Sequence, residues 1–175
     1  MAMAKIYFFL LLFSVGLSPV AAQEVSAEYL KGPGRVHGLR LSVQPIQVSI
    51  TALKLPTDLT LTFEASTNFW RYNQPAEYET NFAVALSPVI SRQFTTLGGR
   101  ALSWEFGVGV SVLNKRRFAG KDLGSYFQFE DRLGLILDLP NNAKLKLRYM
   151  HYSNAGLSSR NPGMDFLNIA YSWPF

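Results

Sequence analysis

The segment from Leu102 to Val112 alternates without interruption. Leu102, Trp104, Phe106, Val108, Val110 and Val112 fall on one side of an extended chain, and Ser103, Glu105, Gly107, Gly109 and Ser111 fall on the other. Successive side chains of a strand point to opposite faces, so this spacing predicts a β-strand with one apolar and one polar face. A polar face of small residues and one glutamate makes a poor soluble core, but it suits a narrow barrel lumen. The apolar face then points outward and needs lipid to cover it. Beyond the N-terminal segment no run of about 20 apolar residues occurs, so a spanning helix is excluded and a membrane form has to be a closed barrel.

Seven further segments fit that scheme. Val25–Leu30 and Val36–Ile46 are extended segments around the Gly32-Pro33-Gly34 turn, the second interrupted by Pro45. After a loop through Lys54 and Pro56, Leu59, Leu61, Phe63, Ala65 and Phe69 alternate with Thr60, Thr62, Glu64, Ser66 and Asn68. Asn73-Gln74-Pro75 turns into a less regular run, Tyr78 to Phe94, that contains Pro88. The Leu102 strand follows Gly98-Gly99, and a basic connection, Lys115 to Lys121, leads to a strand predicted over Leu123–Leu139. Pro140-Asn141-Asn142 reads as a tight turn into Lys144–Asn154, and the last strand runs from Asp165 to the end. Its Leu167, Ile169, Tyr171, Trp173 and Phe175 form a pattern that resembles the C-terminal strand by which bacterial outer-membrane proteins are recognised by the barrel assembly machinery. The total is eight, an even number consistent with the smallest outer-membrane barrels. The expected fold is therefore all-β, an eight-stranded antiparallel transmembrane barrel. A soluble sandwich or lipocalin-like barrel, with the apolar faces turned inward, is the competing reading.

Residues 1–22 read as a secretory signal, with Lys5 ahead of the apolar stretch Ile6 to Leu17 and Val20-Ala21-Ala22 before a cut at Gln23. This leaves residues 23–175 as one barrel domain. The formal charge of +5 becomes +4, sixteen basic against twelve acidic residues, once Lys5 leaves with the leader. No basic tail or helix accompanies it, so nucleic acid is not an expected partner. The absence of cysteine excludes disulfides, thiolate metal sites and a thiol nucleophile, and two histidines, His37 and His151, argue against a His-rich metal site.

The chemistry concentrates in His151-Tyr152-Ser153-Asn154-Ala155-Gly156. In the strand that leads into it, Leu145, Leu147, Tyr149, His151 and Ser153 share a face, opposite Lys144, Lys146, Arg148, Met150 and Tyr152. Two residues along a strand separate Cα atoms by about 6.6 Å on the same side, within reach for an imidazole leaning toward a serine hydroxyl. With both termini periplasmic, this strand ascends, and His151 and Ser153 lie near the outer rim on the lipid side. Two aspartates share that parity. The Asn141 turn makes paired residue numbers sum to about 282, which sets Asp131 opposite His151; a sum near 318 across the following loop sets Asp165 opposite Ser153. Either carboxylate can orient the imidazole as the acid of a Ser-His-acid triad does. His-x-Ser is weakly specific by itself, and polar residues at a rim also sit among headgroups at little cost; Tyr149, Tyr171 and Trp173 read as interfacial aromatics.

The blocks Phe129-Glu130-Asp131-Arg132 and His151-Tyr152-Ser153-Asn154-Ala155-Gly156-Leu157, with Asn161 and Gly163 before an acidic residue, resemble the lipid A 3-O-deacylases (PagL) of Gram-negative outer membranes. In detail the resemblance covers the C-terminal third. It implies a barrel that hydrolyses the ester holding a 3-hydroxyacyl chain at position 3 of lipid A, with its active site facing the outer leaflet. By resemblance Ser153 is the nucleophile, His151 the base and Asp165 the orienting acid, although aspartate stands here where a family member has glutamate, and Asp131 is its rival. Backbone amides from Asn154 to Gly156, or the Asn161 carboxamide, are the oxyanion candidates. The expected partners are lipopolysaccharide, membrane lipid and the assembly machinery, with a homodimer left open; no cofactor is expected. The alternatives are a non-catalytic small barrel serving adhesion or membrane stability, and an outer-membrane phospholipase. No Gly-x-Ser-x-Gly elbow or His-Glu-x-x-His motif points to a soluble lipase or a zinc protease.

Overall fold

A computed structural model describes residues 19–20, 24–49, 58–74 and 77–175. The chain forms a closed antiparallel barrel of eight strands: β1 (Glu24–Lys31), β2 (Val36–Ser49), β3 (Leu59–Gln74), β4 (Glu77–Leu97), β5 (Arg100–Leu113), β6 (Phe127–Asp138), β7 (Lys144–Ser153) and β8 (Met164–Pro174). Each strand pairs with its neighbours in sequence, and β8 closes on β1 with Leu167 opposite Lys31. Of the expected leader only Pro19–Val20 is described, paired with Gln47 and Val48; the rest of residues 1–22, the loop through Lys54 and Pro56, and Pro75 lie outside the described residues. Closure pairs every strand edge, which is what lets a sheet lie in hydrocarbon. No helix among the described residues is long and apolar enough to cross a membrane.

Alternation sorts the side chains as the sequence predicts. Leu39, Leu41, Phe69, Leu86, Val110, Leu133, Leu147, Leu167 and Ile169 are exposed on the outer wall. The polar faces meet in the lumen as a dense ionic lattice. Arg40 reaches Glu28 at 2.5 Å, Glu64 at 2.6 Å and Glu130 at 3.1 Å. Arg132 bridges Glu64 and Glu130, both at 2.6 Å, and Arg148 bonds Glu28 at 3.0 Å and also Glu105. Toward the periplasmic end Lys144 and Lys146 share Glu24. Five carboxylates thus meet five bases and the lattice balances in charge, while a cavity of about 200 Å³ remains beside Glu24, Asp138 and Lys146. Gly109 makes room for the lattice: a Cβ there would stand 2.0 Å from Ser87 Oγ, and that hydroxyl donates to Glu130 at 2.9 Å.

Above the lattice an apolar plug closes the outer end, built from Trp70, Tyr152, Phe166, Phe118, Leu123 and Met150 with smaller neighbours. Trp70 lies 4.9 Å, ring to ring, from both Tyr152 and Phe166. The Tyr152 hydroxyl donates to Glu130 at 2.8 Å and ties plug to lattice. Two prolines that disturb the sequence pattern are absorbed locally. The β2–β3 register shifts between Val43 and Ile46, a bulge that takes in Pro45. Pro88 falls in the gap between the Leu86–Val110 and Val89–Gly107 pairs of β4 and β5, where it has no N–H to donate. Most strand ends differ from the sequence reading by one to three residues, and the start of β6 differs by four. β6 begins at Phe127, and Leu123 is an almost fully buried loop residue of the plug, so a leucine in phase with the strand is used by the core instead.

Candidate active site

The site is assembled on the outward wall where β6, β7 and β8 approach the outer end. The two faces of β7 divide the work. Met150 and Tyr152 point inward and are fully buried in the plug, which anchors the strand between Tyr149, His151 and Ser153. The short turn before β7 has Asn141 and Asn142 at φ of 59° and 58°, a left-handed conformation that asparagine tolerates. It sets Asp131 directly opposite His151, the register expected from the sequence.

On the other side the expected register is corrected. Across the 154–163 loop the pairing sets Asp165 opposite His151, not opposite Ser153. His151 therefore lies between two aspartates, but only Asp165 engages it. The Nδ1–H of His151 donates to Asp165 Oδ1 at 2.7 Å, and the Tyr149 hydroxyl donates to the same oxygen at 2.5 Å. An ionised carboxylate can only accept, so the proton of the pair sits on Nδ1 and Nε2 is left as an acceptor. Among the described residues neither Asp131 nor Ser153 bonds the imidazole. Ser153 ends β7, two residues beyond His151 and opposite Phe129, with 9% of its surface exposed.

The sequence pattern reads Tyr149 as an interfacial aromatic, whereas the structure bonds it to Asp165. The signal lay in the register: with His151 opposite Asp165, Tyr149 faces Leu167 and is the diagonal neighbour of Asp165, a separation a tyrosine can span.

The loop after Ser153 is organised by Asn154, which is fully buried. Its Nδ2 donates to the carbonyls of Leu123 at 2.9 Å and Arg160 at 2.7 Å, while its Oδ1 accepts the Gly156 N–H at 3.0 Å. Its own N–H donates to Asn161 Oδ1 at 2.9 Å. The oxyanion candidates narrow accordingly. The Asn154 and Gly156 amides are spent within the loop, which leaves the Ala155 N–H and the Asn161 Nδ2 without partners among the described residues. Ala155 and Gly156 both have positive φ, 50° and 80°, the left-handed conformation of a tight turn.

Gly163 is another position where a side chain would not fit. At φ 62° a Cβ would lie 2.8 Å from His151 Cε1, so the bare backbone closes against the imidazole edge. The loop between β5 and β6 locks over this one: Lys121 donates to the Gly163 carbonyl at 2.9 Å, and Arg160 pairs with Asp122 at 2.9 Å. Asp122 lies outside the barrel wall, and the Gly124 N–H with Arg116, Arg160 and Arg117 holds its carboxyl below the ordinary aspartate range. No group of His, Cys, Asp and Glu suited to holding a metal ion occurs among the described residues.

A closed barrel with an ionic lattice in its lumen and a polar cluster on its outer wall defines a class: a small outer-membrane β-barrel. The lipid A 3-O-deacylase (PagL) family model matches residues 38–174, and the chain belongs to that family. The lipid A deacylase PagL of Bordetella bronchiseptica is 42% identical over 71 residues, 41% of this chain and 40% of that protein. PagL of Pseudomonas aeruginosa is 39% identical over 70 residues, 40% of each. The matched stretch thus spans about two-fifths of the length of these curated relatives. The crystal structure of the outer membrane enzyme PagL superposes with a TM-score of 0.66 at 23% identity, covering 87% of this chain and 99% of that one, and shows the shared fold.

Proposed function

We propose that the chain is an esterase of the outer leaflet that removes the 3-O-linked 3-hydroxyacyl chain of lipid A, with Ser153, His151 and Asp165 as its triad. The observation that carries this reading is the Asp165–His151 bond at 2.7 Å, on the lipid-facing side of a strand that also presents Ser153. It fixes the tautomer a serine esterase needs, with Nε2 free to accept a proton. Family membership and the names of the two relatives support the substrate.

In this reading His151 Nε2 takes the Ser153 proton as Oγ attacks the acyl carbonyl. The tetrahedral oxyanion is met by the Ala155 N–H and the Asn161 Nδ2. Collapse breaks the ester bond, the imidazolium returns its proton to the departing sugar oxygen, and the acyl group stays on Ser153. A water activated by the same nitrogen then releases the fatty acid. Tyr149 acts on the acid. Its hydroxyl holds Asp165 Oδ1 toward the ring, which offsets the methylene that aspartate lacks relative to glutamate. Asp131 is a neighbour of the imidazole without a bond to it.

The discriminating experiment offers purified, refolded barrel lipid A and phospholipid side by side and identifies the released fatty acids. Release of 3-hydroxy fatty acid from lipid A alone supports the deacylase. Release from phospholipid would mark a phospholipase, and no release from either by a folded barrel would leave the non-catalytic reading.

A further inference from the structure

The outer wall carries a second polar feature that the proposed triad does not use. Three strands away from β7, between β2, β3 and β4, lies a groove of about 560 Å³ bordered by His37, Leu39, Phe69, Arg71, Tyr78 and Phe82. Register stacks two rows across four strands here. Lys31, His37, Arg71 and Thr80 are paired in sequence around the wall, and Tyr29, Leu39, Phe69 and Phe82 are paired two residues closer to the membrane centre. Both rows have outward parity, so a polar row caps an apolar one at the outer end of the barrel.

The charges in this row differ from those in the lumen. Arg71 lies over the Tyr78 ring at 4.8 Å, and no carboxylate pairs with Arg71 or Lys31 among the described residues. Lys31 is held by its own turn, donating to the Gly34 carbonyl at 2.5 Å. A guanidinium on a lipid-facing wall without a counter-ion is costly unless an anion meets it there, and its planar fork matches phosphate oxygens in pairs. The apolar row beneath fits an acyl chain. Together the rows match an amphiphile with a phosphate head above hydrocarbon tails.

The groove also lies within reach of the proposed active site along the same wall. Lys31 pairs with Leu167, which follows Asp165 by two residues on the same face of β8. At about 4.8 Å per strand and 3.3 Å per residue, His37 stands three strands around the wall and two residues along it from His151, a separation of about 16 Å. A phosphorylated two-sugar head bearing several acyl chains spans that range.

We propose that the Lys31–His37–Arg71 row and its groove form a phosphate-binding subsite for the lipid A molecule whose ester lies at Ser153. The row holds one phosphate of the head while an acyl chain rests on Leu39, Phe69 and Phe82, which fixes the acyl position presented to the serine. This inference rests on the deacylase reading for its substrate, but binding can be measured without turnover.

The test uses the full barrel carrying Ser153→Ala, with and without His37→Gln plus Arg71→Gln, and measures lipid retention by native mass spectrometry. The probes are bisphosphorylated lipid A, the same lipid A after phosphatase treatment, and phosphatidylglycerol. Expected is a loss of about tenfold or more in affinity for the phosphorylated lipid A only, with Arg71→Lys, which keeps the charge but not the fork, losing less than the double substitution. Equal losses for the phosphorylated and dephosphorylated forms, or no loss, would overturn the subsite. Phosphatidylglycerol bound as tightly, and with the same dependence on Arg71, would overturn its assignment to the substrate. If the barrel proves inactive on lipid A but retains it through its phosphates, the deacylase reading fails while the subsite stands.

Discussion

The lumen and the outer wall of β7 both hold charged groups out of bulk water, and they do so in opposite ways. Inside, every carboxylate of the lattice has at least one basic partner, and the central ones have several: Glu64 accepts from Arg40, Arg132 and Gln44. Outside, the Tyr149–Asp165–His151 chain stops at His151 Nε2, and the Ser153 hydroxyl, two residues on along the same face, has no partner among the described residues. Pairing each buried charge avoids the cost of leaving it alone in a low-dielectric interior. Incomplete pairing on the outer wall leaves, in the proposed reading, an acceptor and a nucleophile for an incoming ester. The plug residues Met150 and Tyr152 join the two regions, since the strand that holds them still also carries the reactive groups.

The comparison breaks most sharply at the acid. Asp165→Asn removes the carboxylate that fixes the imidazole tautomer, and deacylation is expected to fall by on the order of 10³ to 10⁴ in kcat, whereas Asp131→Asn changes it by less than about threefold because Asp131 makes no bond to His151. Initial rates on lipid A in detergent compare the two; equal losses would transfer the orienting role to Asp131.

Breaking the lattice moves the other quantity. Arg148→Met leaves Glu28 and Glu105 short of a partner in the lumen and is expected to cost about 3 to 5 kcal/mol, read as a lower urea midpoint for unfolding. The rate per folded molecule is expected to stay near that of the parent barrel. A variant that is stable but inactive would show that the lattice serves the site and not the fold.

These two predictions also mark what could be read in the sequence. The strand count, the direction of each face and the outward placement of His151 follow from alternation, because a period of two leaves only two orientations. Asp131 was placed correctly because Pro140-Asn141-Asn142 is a short turn with one register. Asp165 was misplaced because the 154–163 loop takes its shape from the buried Asn154 and its contacts with Leu123, Arg160 and Asn161. Those are contacts between loops, with no local sequence signal. Tyr149 was missed as a consequence, and so was the use of the Asn154 and Gly156 amides inside the loop. Leu123 was read as strand because it is in phase with Phe127 and Phe129, although the core claims it.

Tyr149→Phe is expected to have a smaller effect, about tenfold in kcat with KM little changed, the value of one hydrogen bond to a charged group. Asp165→Glu in the same chain should restore most of the loss, since the longer acid reaches the ring unaided. Failure of that rescue would make Tyr149 a packing residue only.

The smallest effect is expected in the loops. Asp122 is held ionised by the Gly124 N–H and its arginines, so its folded-state pKa is depressed. Its contribution to loop docking is complete above the unfolded aspartate value of about 4 and is lost as pH falls through the lower folded value. Amide exchange of residues 116–124 and 157–163 should therefore be flat between pH 8 and pH 5 after correction for the intrinsic rate. Opening of these loops within that window would contradict the assignment.

The most direct measurement is mass spectrometry of lipid A from outer membranes that contain the folded parent barrel, Ser153→Ala or His151→Asn. The account predicts loss of one 3-hydroxyacyl group with the parent chain and intact lipid A with both variants. Trimmed lipid A in the Ser153→Ala membranes, or intact lipid A in all three, would contradict it.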